Sequence, residues 1–457
     1  MASLYRRMFE LDPVNNVKEF SSENGINVIN FIIPPLQNVL LSTGDLVLQG
    51  NLQLNVDATN PKEYTDDYRA GIDNVLGLHG AIERVEITSR QGNVLLEQRL
   101  SYGLGAKVAR ANISNADLRV GRFNCQNLCG ENTDAAGKFL NRNAFDTDGA
   151  PFNIHLQTGL LSDNLQSLNL GAIGGMEIKI TLSSTANFLF NIDQGDTNTD
   201  QLGSDSLYTL KNLKLFGRYQ YVEPQVAARM TGVEFKQMAN QLQVVQSSND
   251  TLAFQPQVSS LDKIVYVSQP NDSTKNNLNT NSFQTNSLVG LKQYRESRNG
   301  SLFPKDFPVV VETAVPDLPT DGEINDRWIQ GGNAEQAYHL IVALNGIYPP
   351  MHSLVGGLNE TRHHFDLSGM ASQADIADIE PTNRFANNIN CIATSYQYGF
   401  ANYATPMNND LLQIELQSSV KTSDKVVNAA VRDQTQTTNT MMIYNTTLNY
   451  ANMTVSK

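Results

Sequence analysis

The sequence predicts an all-β protein with a few short inserted helices, built as two tandem sandwiches or barrels in which jelly-roll wiring is favoured. Three observations lead there. Strict period-two alternation recurs along the chain, as in Met176, Ile178, Ile180 and Leu182 against Glu177, Lys179 and Thr181, and that period marks a strand with one buried face. Long polar crossings separate the strands, which suits a chain passing between two sheets over their ends. The pattern then restarts beyond Glu223-Pro224, where Leu412, Ile414 and Leu416 alternate with Gln413, Glu415 and Gln417 as a counterpart of the 176–182 strand.

Size and composition fit two cores. A chain of 457 residues, 40% hydrophobic and 17% charged, exceeds one ordinary domain and is neither disordered nor coiled coil. Residues 1–20 read as a polar N-terminal arm with a short amphipathic piece at 5–11, the kind of terminus that is usually mobile. Residues 21–223 and 224–457 read as the two β units.

In the first unit, 26–33 is a β run stopped by Pro34-Pro35, and 45–56 alternates Leu46, Leu48, Leu52 and Leu54 with polar neighbours. Behind the possible cap Thr65, the spacing of Tyr68, Ile72, Val75 and Leu76 predicts a helix. Strands at 81–88 and 93–100 flank a Gly92-bearing hairpin connection. Residues 104–150 are Asn-rich and weakly periodic, an insertion with one short helix. Phe152, Ile154 and Leu156 then mark a strand, and the Gly174-Gly175 pair marks a sharp corner before Met176. After the polar crossing 191–206, the run 207–222 places Leu213, Leu215, Tyr219 and Tyr221 on one face.

In the second unit, 252–255 and 261–268 read as strands, 271–287 as a loop and 306–314 as a β-branched run between prolines. A helix is expected over 334–344, capped by Asn333, striped by Ala337, Tyr338, Ile341 and Leu344 and stopped by Gly346. Further strands are expected at 391–400, 411–418 and 440–450.

The search for reactive chemistry yields no catalytic, cofactor-binding or metal-binding residue. No dinucleotide fingerprint or nucleophile elbow occurs. The run from Gly130 to Lys138 has the wrong spacing for a phosphate loop, and Phe139 stands where a magnesium-holding hydroxyl belongs. Cys125 and Cys129 lack a second Cys/His pair nearby, so they are better read as small packing residues. His363 and His364, with Asp366, would point to opposite faces of a strand and are better read as a solvated pair. His155 occupies the polar phase of its strand, Trp328 is better read as packing at a helix start, and Asp66-Asp67 as solvated.

Charge and cysteine content bound the setting. A net charge of −13, with Lys and Arg scattered, excludes binding by phosphate neutralisation, so no sequence-specific nucleic-acid contact is expected. Three cysteines, Cys125, Cys129 and Cys391, make no disulfide framework. The start, MASLYRRMFELD, lacks a signal-peptide core, and no apolar run approaches the roughly 18 residues of a membrane span. Asn112, Asn249 and Asn445 open sequons that read as by-products of Asn- and Thr-rich loops.

The order of these features resembles the double jelly-roll major capsid proteins of icosahedral double-stranded DNA viruses, and is most similar to the virophage and Polinton-like virus branch. The residues that carry the likeness are 151–161, ending in Gly159-Leu160-Leu161, and 168–182 with its Gly-Gly-Met-Glu-Ile-Lys-Ile-Thr-Leu ending. The strand pair over Gln91-Gly92, the 207–222 strand before Glu223-Pro224, and 295–309 with Leu302-Phe303-Pro304 and Phe307-Pro308 support it. The second half departs more, particularly over 346–390. The resemblance implies a structural, non-catalytic subunit of a virion shell, homotrimeric, packed against neighbouring capsomers and minor penton proteins. Residue by residue, the sequence also fits a β-sandwich attachment or glycan-binding module, or a hydrolase on a jelly-roll scaffold.

Overall fold

The computed structural model describes residues 3–23, 26–55, 70–73, 76–109, 138–139, 148–161, 167–191, 206–245, 250–270, 282–283, 291–310, 392–396, 405–407, 409–418 and 436–456. The first half contains β1 (Ser3–Leu11), β2 (Glu19–Phe20), β3 (Val28–Ile33), β4 (Val39–Ser42), β5 (Val47–Asn55), β6 (Ala70–Ile72) and β7 (Ile82–Ser89). It continues with β8 (Leu95–Arg99), β9 (Lys138–Phe139), β10 (Ala150–His155), β11 (Ser167–Asn169), β12 (Met176–Leu182), β13 (Phe190–Asn191) and β14 (Leu207–Val222). The second half contains β15 (Gly232–Val245), β16 (Asp250–Phe254), β17 (Ser260–Pro270), β18 (Leu291–Arg298), β19 (Ser301–Leu302) and β20 (Val309–Val310). It ends with β21 (Ile392–Ser395), β22 (Thr405–Pro406), β23 (Leu412–Ser418), β24 (Gln436–Asn449) and β25 (Thr454–Ser456). Three helices, α1 (Tyr102–Ala109), α2 (Thr185–Phe188) and α3 (Pro224–Arg229), interrupt the described strands.

Both halves are jelly rolls of the same wiring. In the second, one sheet runs β15-β24-β17-β21 and the other β16-β23-β18-β19. In the first, one sheet runs β3-β12-β7-β8. Its partner sheet is centred on β14, which pairs β1 along one flank. Leu215 and Phe216 of β14 pair β1 and β5 together, while Tyr219, Gln220 and Tyr221 pair β1 and β4. With β1 on one flank throughout, β4 and β5 share the other as a single strand interrupted by the 3-10 turn Thr43–Asp45. Beside them lie β10, paired with β5, and β11, paired with β4. The order β1, β14, β4/β5, β10/β11 therefore matches β15, β24, β17, β21. The expected counterpart strands agree: β12 pairs β3 and β7, and β23 pairs β16 and β18.

The central strand is buried on its expected phase: Met176, Ile178, Ile180 and Leu182 are at most 2% exposed, while Glu177, Lys179 and Thr181 stay half-buried. The Gly174-Gly175 corner carries β11 of one sheet to β12 of the other. Both glycines have positive φ, +65° and +86°, and a Cβ on Gly175 would stand 2.7 Å from the Ile33 carbonyl oxygen, so a side chain does not fit. Along β14 the buried phase switches at Asn212 (φ 51°): Tyr208 and Leu210 are buried before it, Leu213, Leu215 and Tyr219 after it, and Tyr221 is half-buried. A bulge there shifts the register against β5 by an extra residue.

Three expectations need correcting. Residues 3–11 of the expected arm form β1, because Phe9 and Leu11 pack on the core and the Phe9 ring stacks on Tyr219 at 4.1 Å. The expected helix around Ile72 is instead strand at 70–72, paired with β13 and β9. Gly71 is poorly suited to a helix interior, and the paired backbone prevails over the side-chain spacing. The helix expected within the polar insertion is α1, which starts at Tyr102 and is buried on nearly every side. The helix expected over 334–344 lies outside the described residues.

Candidate functional site

Among the described residues, no three or more His, Cys, Asp or Glu side chains converge where they could hold a metal ion. His155 sits half-buried on β10, opposite Val47 of β5. Lys138 lies in β9, paired with Ile72. Cys125, Cys129, Cys391, His363, His364, Asp366, Trp328, Asp66 and Asp67 lie outside the described residues. No described helix is long and apolar enough to cross a membrane.

The most built feature is the seam between the two rolls. There the outer edge of β8 meets β15, and side chains rather than a backbone ladder join them. Gln237 donates from Nε2 to the Leu96 carbonyl (2.5 Å), Arg99 donates from Nη1 to the Met238 carbonyl (3.1 Å), and Asn240 donates from Nδ2 to the Leu100 carbonyl (2.9 Å). The Tyr444 hydroxyl donates to Gln237 Oε1 at 2.9 Å, which orients the amide. Polar groups buried in this way must be paired or they cost stability. Here each strand edge is closed by the other roll's side chains.

On β8 itself, Glu97 is 2% exposed and accepts the N–H groups of Gly159 (2.7 Å) and Leu160 (2.8 Å). Burial pushes its carboxyl pKa up, and the N–H of Leu160, the Arg99 charge and the N–H of Gly159 oppose the shift. The turn this carboxylate holds lies against β15: a Cβ on Gly159 would overlap the Lys236 carbonyl oxygen. Nearby, burial first and the Glu97 charge second push the Tyr444 hydroxyl pKa up to about 12.

Apolar packing crosses the same boundary. The first roll's core includes Val233 and Phe235 of β15 and Leu448 and Tyr450 of the second half. The N–H of Asn169 donates to the Tyr450 hydroxyl at 3.3 Å, and Asn169 Nδ2 donates to the Ala227 carbonyl at 3.1 Å. The two rolls are thus joined by a shared core and by buried polar ties. The sequence offered no motif for this seam; Gln237, Arg99 and Glu97 read as ordinary polar strand residues, and only the docking of one roll on the other assigns them a role.

No family model matches the sequence, and no curated protein does either. Solved structures do. The chain is similar to the Sputnik virophage structure determined by cryo-EM, with 13% identity, a TM-score of 0.55 and coverage of 100% of this chain and 88% of that one. It is similar to the PBCV-1 virus capsid, with 10% identity, a TM-score of 0.52 and coverage of 98% and 95%. It is also similar to the Faustovirus major capsid protein, with 11% identity, a TM-score of 0.51 and coverage of 98% and 91%. These likenesses are of fold, and they run through both rolls.

Proposed function

We propose that the chain is the major capsid protein of an icosahedral double-stranded DNA virus, a structural and non-catalytic subunit of the virion shell. The observation that carries this reading is the fusion of two identically wired rolls, edge to edge. Within the chain, the β8 edge of the first roll meets the β15 edge of the second. The corresponding edges left over are β1 in the first roll and β19 with β20 in the second. A head-to-tail contact of this kind leaves each subunit one donor and one acceptor edge, and it closes into a ring when the rotation permits. Three chains supply six rolls and one pseudo-hexagonal capsomer.

Five of the eight exposed large apolar side chains among the described residues lie on or beside these edges, Val14, Ile26 and Phe307 being the others. Leu95 and Leu100 (47% and 45% exposed) and Leu242 (61%) fringe the seam inside the chain, while Met8 (69%) lies on β1 and Leu302 (41%) on β19. In this reading residues 21–223 and 224–457 are the two rolls, and the 1–20 arm contributes β1 to the first. Neighbouring capsomers and minor penton proteins are the further partners, joined by many weak lateral contacts that add together. The acidic chain has no need to neutralise DNA itself.

The test is a cross-link between the two free edges. In a chain whose three native cysteines are replaced by serine, Met8→Cys combined with Leu302→Cys and a short bis-maleimide is expected to give covalently closed trimers. Either substitution alone should leave the chains separate after denaturation. Exclusively intrachain products from the double variant, or none, would overturn the edge assignment.

A further inference from the structure

Off the β8 and β15 strands themselves, the first roll contains a slot filled by a side chain of the second. The occupant is Phe283, from the connection between β17 and β18, and it packs on the first roll's core. Glycines form the floor: a Cβ on Gly103 of α1 would stand 2.5 Å from Phe283 Cε1, and one on Gly80 would stand 3.0 Å from Phe283 Cε2. Side chains at both places are therefore given up to make room for the ring. Phe188 of α2 borders the slot, lying 3.3 Å from the same Gly80 position.

Polar contacts fix the backbone around the ring. Lys107, fully buried and one helical turn beyond Gly103, donates to Asp73 Oδ2 (2.7 Å) and to the Phe283 carbonyl (2.8 Å). Ser282 donates from Oγ to the Ala186 carbonyl (3.2 Å) in the first roll. Its own carbonyl accepts from Gln269 Nε2 (2.7 Å) at the end of β17, which ties the pair back to the second roll. A buried ammonium needs acceptors, so the Phe283 carbonyl helps hold the Lys107–Asp73 pair as well as being held by it.

We propose that Ser282-Phe283 is a clasp: it seats the second roll in an aromatic slot of the first formed by α1, α2 and the Gly77–Ala81 turn, adding to the β8–β15 seam an attachment off the strand edge. An attachment at a further point, off the strand edge, resists rocking of one roll about that edge. The clasp lies within one chain, so it holds or fails independently of trimer formation.

The test is a double-mutant cycle read by amide hydrogen exchange across Gly77–Ala81 and Tyr102–Ala109. Phe283→Ala is expected to speed exchange there by about tenfold or more, the loss of a packed ring, and Phe283→Leu by less. Gly103→Ala discriminates most sharply, because alanine is the better helix former and should slow exchange in α1 if the slot has no role. With the clasp, Gly103→Ala displaces the ring and speeds exchange instead. Combined with Phe283→Ala, which removes the ring it would displace, it should cause no further speeding. Unchanged protection across β12 shows that each variant is folded. Slower or unaltered exchange in Gly103→Ala, or additive effects in the double variant, would overturn the clasp.

Discussion

Gly159 shows how little room separates the rolls. Any Cβ there meets the Lys236 carbonyl oxygen, and backbone cannot step aside as a side-chain tip can. Gly159→Ala is expected to lower stability by about 3 kcal/mol in urea unfolding, the upper part of the ordinary overpacking range; a loss below about 1 kcal/mol would show that the seam yields. Lys263 of β17 offers a second residue-scale test. It is 1% exposed, and burial pulls its ammonium pKa down to about 8. The unfolded value is about 10.4. As pH falls through that value the unfolded chain binds the proton first, so stability drops until about pH 8, where the folded lysine ionises too. Between pH 10.5 and 7.5, wild type is expected to lose stability relative to Lys263→Met. Parallel curves would place the lysine in water.

At the scale of the element, β12 and β15 show what a sequence displays and what it hides. Along β12 every second residue is apolar and every other is charged or polar, so strand, register and buried face are legible at once. Ile178→Ala is expected to cost about 2–5 kcal/mol, while Lys179→Ala should change stability by less than about 0.5 kcal/mol. Chemical denaturation of the pair checks the register directly. β15 is long but less legible, because Gln237 and Met238 are both buried at the seam and break the alternation. β18 hides for a related reason: Glu296 is 4% exposed in its buried phase, accepting from Thr394 Oγ1 at 2.8 Å. Likewise β1, with Arg6, Arg7 and exposed Met8, reads as a polar arm until β14 is seen beside it. In each case the strand is completed by a partner strand or roll distant in sequence.

At the scale of the whole molecule, the repeat of one wiring diagram is what connects fold to function. The sequence showed it faintly, through the likeness of 412–417 to 176–182, but the seam could not be read from strands taken singly. Glu97, Arg99 and Gln237 acquire their roles only once β8 lies against β15. That contact also leaves β1 and β19 as edges with a complementary relation, and the proposed trimer rests on it. The most direct measurement is the mass and outline of the purified protein, by light scattering and negative-stain microscopy. Particles near three times the 50.4 kDa chain mass with pseudo-hexagonal outlines are expected. A monomer that stays monomeric at high concentration and shows only small isolated globules would contradict the assignment.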